Sequence, residues 1–212
     1  MNETLLDLGL NLGLNTVGLG LVAIAPKKLL TRAGIVHAWF LGVVTWACLG
    51  WPGYAIVGVY FVLGSAVTRL GAARKEAAGI AEKRGGARGP ENVWGSAAAS
   101  AVCALAIGAI EVTLTTDLAQ AWLRLLTIGY VAGYSAKLAD TFASEVGKAY
   151  GQKTFSIVSL RPVAPGTEGA VSLEGTLAGA IGGLILALVG VLVGLVPVWA
   201  AGICAIAAFL AM

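Results

Sequence analysis

Along this chain, long uninterrupted apolar runs are separated by short polar segments, and no stretch alternates with period two. Continuous runs of this kind indicate spanning helices, whereas barrel strands read as alternating segments. Seven runs can be drawn, at about residues 5–25, 33–49, 54–70, 94–110, 118–146, 171–195 and 197–212. The predicted fold class is therefore all-α: a polytopic helical membrane protein of about seven transmembrane helices, one integral membrane domain over 1–212. Pro26-Lys27-Lys28 closes the first run, and Gly50-Trp51-Pro52-Gly53 reads as a tight turn with an interfacial aromatic. Glu111 to Asp117 forms an acidic turn, and Pro197 divides the last two runs. The fifth run is long for one crossing, which predicts a helix that protrudes from the membrane surface or breaks at it.

The polar positions add an orientation. Basic residues crowd the segments after runs one, three and five: Lys27, Lys28 and Arg32; Arg69 to Arg88; Lys148, Lys153 and Arg161. The turns at Trp51, at Glu111–Asp117 and at Pro197 hold none, and Arg124 is the only basic residue near that side. The positive-inside rule then predicts an outer N-terminus, a cytosolic C-terminus and cytosolic loops 71–93 and 147–170.

Composition agrees with a bilayer protein: 58% of residues are hydrophobic, 12% are charged, and mean hydropathy is +0.87. The net charge of +3 is too small to argue from, and no nucleic-acid partner is expected. The first residues, Met1 to Asp7, lack a basic n-region and the Arg/Ser content of a transit peptide, so neither leader is expected. Cys48, Cys103 and Cys204 sit singly in apolar runs and read as packing residues. Asn11 and Asn15, at i and i+4, face one side as an interhelical clamp or a cavity wall. His37, the only histidine, reads as a packing or interfacial residue. The alanine-rich fourth run offers a close-packing surface, for a homodimer or for internal contacts.

The chemistry concentrates in Lys137-Leu-Ala-Asp-Thr-Phe-Ala-Ser-Glu-Val-Gly-Lys148. As a helix, it places Lys137, Asp140, Thr141, Ser144 and Lys148 on one face, with Glu145 roughly 80° round from Lys137. Snorkelling to headgroups accounts for the lysines but leaves the two carboxylates unexplained. The segment Arg84-Gly-Gly-Ala-Arg-Gly-Pro-Glu-Asn92 is basic and rich in backbone N–H groups, suited to a phosphate or to anionic lipid. Gly166-Thr167-Glu168-Gly169 can present N–H groups before a helix start. Carboxylates, hydroxyls, cations and Gly-rich loops together suit Mg²⁺-assisted phosphoryl transfer. Walker and protein-kinase motifs do not occur. A small transporter or lipid flippase that uses Asp140 and Glu145 fits the same residues nearly as well.

Asp140-Thr-Phe-Ala-Ser-Glu-Val-Gly147, Pro165-Gly-Thr-Glu-Gly-Ala-Val-Ser172 and Glu174-Gly-Thr-Leu-Ala-Gly179 resemble the signature of the phytyl-phosphate kinase family. This membrane family includes the plant chloroplast enzyme of tocopherol synthesis and animal transmembrane relatives. Arg84 to Asn92 resembles its preceding loop, and the likeness runs from about Thr68 onward. It implies phosphoryl transfer from a nucleoside triphosphate, CTP favoured over ATP, to phytyl or another prenyl monophosphate in tocopherol or quinone synthesis. It implies Mg²⁺ on Asp140 and Glu145, phosphates held by Lys137, Arg88 and Arg84, and polar groups oriented by Asn92, Thr141 and Ser144. The prenyl tail would lie between helices. A bacterial inner or thylakoid membrane of cyanobacterial type is the implied location. A kinase of the free prenol, with Asp140 as base, stays open. The resemblance also implies a further motif after the seventh run, whereas this sequence stops at Phe209-Leu-Ala-Met212, as a truncated C-terminus or a short variant would.

Overall fold

A computed structural model describes residues 2–113 and 116–212, so the middle of the expected acidic turn lies outside the described residues. The helices are α1 (Asn2–Ile24), α2 (Arg32–Arg69), α3 (Ala72–Ala77), α4 (Pro90–Thr113), α5 (Asp117–Tyr150), α6 (Leu173–Leu192) and α7 (Val198–Leu210). By length and composition, α2, α4 and α6 can cross a membrane, and Gly9–Ile24 of α1 and the whole of α7 are shorter apolar stretches of helix. Their outward faces are apolar, with Val102, Leu105, Leu184, Leu188, Ile203 and Phe209 exposed. So much exposed apolar surface suits a lipid surround.

α2 is two limbs. A straight helix of 38 residues would be about 57 Å long, yet Arg69 Nη2 donates to the Lys28 carbonyl at 3.3 Å. The chain reverses at Gly50, whose φ of 63° and ψ of −163° no β-carbon-bearing residue adopts comfortably. The turn expected at 50–53 is thus present, and the limbs correspond to the second and third runs.

α5 is unbroken over 34 residues, about 51 Å at 1.5 Å per residue. Since the hydrocarbon layer is about 30 Å thick, the helix extends well beyond it, which resolves the protrude-or-break alternative. α5 and α6 pack at backbone distance. An added β-carbon at Gly175 would lie 2.6 Å from the Ala143 carbonyl oxygen, and one at Gly182 would lie 2.8 Å from Phe142. The glycines of the 174–179 motif therefore hold α6 directly behind the Asp140–Glu145 turns of α5. Ala97, Ala101 and Ala104 of α4 are buried in the core, so this alanine face serves internal packing.

The loop after α5 departs from pure helix. β1 (Thr154–Ser156) pairs antiparallel with β2 (Ala170–Ser172), which moves the start of the sixth span from Val171 to Leu173. Ser172 caps that start by accepting from the Gly175 N–H at 3.1 Å. The asparagines act as a clamp: Asn15 Nδ2 donates to the Trp39 carbonyl (2.8 Å), and the Tyr54 hydroxyl donates to Asn15 Oδ1 (3.1 Å). His37 Nδ1 accepts from Trp94 Nε1 at 2.9 Å, a packing role.

Candidate functional site

Three chain segments meet at one end of the bundle. Thr31 N–H donates to the Arg88 carbonyl and Arg88 N–H to the Leu29 carbonyl, both at 3.0 Å, which ties the first basic loop to the second. Lys148 Nζ donates to Glu82 Oε1 at 3.0 Å and ties the second to the end of α5. The third loop joins through Gly166, where an added β-carbon would lie 2.8 Å from Ile80.

Between them lies a polar cavity of about 560 Å³. Its walls include Lys137, Asp140, Thr141, Ser144 and Glu145 from α5, and Arg84, Arg88 and Asn92 from the second loop and the start of α4. Gly166, Thr167, Glu168 and Gly169 do not line it. Their turn sits behind Ile80, and the backbone explains its glycines: φ is 85° at Gly166 and 70° at Gly169. The Thr167 and Ala170 N–H groups donate within the loop, to the Ala164 and Thr167 carbonyls. Of the expected phosphate donors, the Thr167 N–H is thus engaged within the loop, and the helix start behind the turn is capped by Ser172.

The cations fall into distinct states. Lys75, 1% exposed, donates to the Thr68 carbonyl at 2.7 Å and forms an ion pair with Glu145, itself 3% exposed. Lys148 bridges outward from this pair, 3.7 Å from Glu145 Oε1 and 3.0 Å from Glu82. The hydrogen bond from Lys148 holds the Glu82 carboxyl below its ordinary range. Arg84 pairs with Glu91 at the exposed rim, and its hydrogen bond lowers the Glu91 carboxyl in the same way. Lys137 pairs with Asp140 at 3.0 Å, one turn along α5, both side chains partly exposed to the cavity.

Arg88 differs from all of these. Its guanidinium lies 5.2 Å from the centre of the Tyr60 ring, against the backbone of Gly64, and no carboxylate pairs with it among the described residues. The Tyr60 hydroxyl donates to Ser96 Oγ at 2.7 Å. Arg84 itself has a φ of 58°, an unusual backbone for a side chain of this kind. Asn92 Oδ1 accepts from the Gly89 N–H at 3.0 Å and so closes the first turn of α4. Thr141 Oγ1 donates to the Lys137 carbonyl at 2.7 Å.

Two features of this geometry were not read from the sequence. Glu145, expected at a metal, is held by Lys75; releasing it would leave a buried ammonium unpaired, which costs several kcal/mol. Nothing in Arg74-Lys75-Glu76 sets Lys75 apart from an ordinary solvated charge run. Tyr60 and Ser96, which sit in apolar runs, gave no signal either.

Among the described residues no three His, Cys, Asp or Glu side chains cluster as a metal site. Four carboxylates line the cavity, and Lys75, Lys148 and Arg84 hold Glu145, Glu82 and Glu91. That leaves Asp140, paired with Lys137 and followed in sequence by Thr141 and Ser144. This set fits Mg²⁺ only in the form in which substrate phosphates supply most of the ligands.

A family model described as integral membrane protein DUF92 matches residues 15–212. The uncharacterized membrane protein sll0875 of Synechocystis sp. is 58% identical over 198 residues, 93% of this chain and 74% of that protein. The chloroplastic protein VTE6 of Arabidopsis thaliana is 41% identical over 182 residues, 86% of this chain and 53% of that protein. The uncharacterized membrane protein MJ0933 of Methanocaldococcus jannaschii is 30% identical over 169 residues, 80% of this chain and 65% of that protein. The chain therefore spans only about half of VTE6 and just under two thirds of MJ0933. No solved structure matches. With residues 15–212 covered by the family model and a relative 58% identical, the chain belongs to the DUF92 family of integral membrane proteins.

Proposed function

We propose that this protein is a phosphotransferase that moves the γ-phosphoryl group of a nucleoside triphosphate, CTP before ATP, onto a prenyl monophosphate such as phytyl phosphate. The observation that carries the reading is the convergence of Arg84, Arg88, Asn92, Lys137, Asp140, Thr141 and Ser144 on one polar cavity at the basic end of the bundle. The motif resemblance supports the same class.

The acceptor phosphate is already an anionic nucleophile, so the site has to position two polyanions and offset their charge. Arg88, with no carboxylate on it, takes the acceptor phosphate through its planar fork. Lys137 exchanges Asp140 for a phosphate oxygen of the donor, and Arg84 reaches the donor from the rim. Asp140, freed from Lys137, is the carboxylate for Mg²⁺, which when bound offsets charge on the donor's phosphates. Glu145 acts as the buried counter-ion that fixes Lys75 and orients Lys148. Thr141 and Ser144 offer hydroxyls along the same wall. The basic end lies on the cytosolic side in this proposal, where nucleotides are, with the N-terminus outside.

A carrier would need the polar path to continue across the bundle. Below the cavity, the buried rings of Tyr60, Tyr134 and Tyr130 pack tilted and edge-on with centroids 5.3–5.5 Å apart, and this favours a one-sided site. The test is transfer of label from γ-labelled CTP, and separately ATP, to phytyl monophosphate by purified protein with Mg²⁺. Labelled phytyl diphosphate, lost in Asp140→Asn, is the expected result. Label in phytyl monophosphate from free phytol would instead assign the alcohol as acceptor. No transfer by folded protein to either acceptor would overturn the reading.

A further inference from the structure

A second cavity, narrow and apolar, runs between α1, the two limbs of α2 and α4, and it shares Tyr60, Arg88, Asn92 and Ser96 with the polar one. Along the second limb of α2 it extends from Arg88, which lies against Gly64, down to Tyr54. Ten residues of helix make that about 15 Å. Asn15 and Tyr54, hydrogen-bonded to each other, stand at its far end. Leu19 and Phe61 on its walls are only partly covered by protein, so the groove is open sideways towards the lipid face.

Two things at the near end select an amphiphile over a plain hydrocarbon. Arg88, which no carboxylate pairs with among the described residues, presents its guanidinium where the apolar and polar spaces join. Tyr134, 1% exposed, lines the same groove with a hydroxyl that has no hydrogen-bond partner among the described residues. A buried hydroxyl left unpaired is costly, and a ligand oxygen would offset that cost.

We infer that this groove between α1, α2 and α4 holds the first isoprene units of a prenyl monophosphate, with its phosphate on Arg88 and its tail entering sideways from the bilayer. The inference rests on the proposed acceptor class but concerns binding, so it can be tested without turnover. Gly58 is the specificity position. It lines the groove, and an added β-carbon there meets no atom within 4 Å, so a larger side chain has room to enter the space the ligand would occupy. Gly202 on α7 is equally open and lies away from the groove, which makes it the control.

The experiment uses phytyl monophosphate carrying a diazirine on the first isoprene unit, irradiated with the full chain in lipid nanodiscs and mapped by peptide mass spectrometry. Expected are adducts on groove residues such as Leu19, Val57 and Phe61, reduced about ten-fold or more in Gly58→Leu and unchanged in Gly202→Leu. Where transfer is measurable, Gly58→Leu raises KM for phytyl phosphate by a similar factor and leaves KM for the nucleotide unchanged. Adducts confined to other helices, or none, would overturn the groove. Equal labelling by a diazirine phosphatidylcholine would overturn it too, as a generic lipid contact. Groove adducts without phosphoryl transfer from any nucleotide would keep the groove and sink the kinase; transfer with adducts elsewhere would do the reverse.

Discussion

Replacing Lys75 with Met tests whether the cavity is built on a buried ion pair. Lys75 and Glu145 side chains are 2% and 4% exposed. Removing one member of such a pair strands the other charge, at a typical cost of about 3–5 kcal/mol. Here the Thr68 carbonyl also loses its donor, which adds about 1 kcal/mol. Lys148, 3.7 Å from Glu145 Oε1, offsets part of the loss by moving onto the freed carboxylate. The net expectation is about 3–4 kcal/mol for Lys75→Met. At about 2–4 °C per kcal/mol for a chain of this size, the unfolding midpoint in detergent falls by roughly 6–16 °C. The double variant Lys75→Met/Glu145→Leu replaces the pair by apolar side chains and recovers most of the loss, because neither charge is left behind. Thermal unfolding of wild type, both single variants and the double closes the cycle. A single-variant loss below about 0.5 kcal/mol, or a double variant as costly as the sum of the singles, would refute the pair as described.

Three further outcomes follow from the same geometry. Gly175→Ala places a methyl 2.6 Å from the Ala143 carbonyl oxygen and should cost about 1–3 kcal/mol by forcing α6 off α5, read as a lower midpoint. Glu82 has its carboxyl held below the ordinary value of 4.5 by Lys148. Its contribution is therefore fully present above 4.5 and lost as pH falls through the depressed value. The midpoint difference between wild type and Glu82→Gln should stay constant from neutral pH down to that range and then shrink; a difference that grew on acidification would contradict the pairing. Arg88→Lys keeps the charge but loses the planar fork and its stacking on Tyr60, so KM for the acceptor should rise on the order of ten-fold while KM for the nucleotide holds. Equal changes in both would move Arg88 to the donor side.

The spans were legible because period and length act locally: each apolar run needs only its own residues to declare a helix. The turn at Gly50 and the joining of the three basic loops followed from the same pattern. Asp140, Lys137, Thr141 and Ser144 could be grouped because helical spacing alone puts them on one face. Lys75 could not, since its burial depends on Glu145, seventy positions away, and nothing in Arg74-Lys75-Glu76 marks the middle residue. Gly166 to Gly169 misled for a related reason. A Gly-rich turn signals unusual backbone, and here that backbone serves the loop around the β1–β2 pair, with Ile80 between it and the cavity.

The sideways opening beside Gly58 changes the unit in which supply of an amphiphile is counted. A molecule that partitions almost wholly into the leaflet and reaches Arg88 from there is present at a two-dimensional concentration, with a negligible share in bulk water. Occupancy then follows its mole fraction among the surrounding lipids. Adding inert lipid at a fixed total amount of phytyl phosphate should slow the reaction, whereas changing the aqueous volume at constant nucleotide concentration should not.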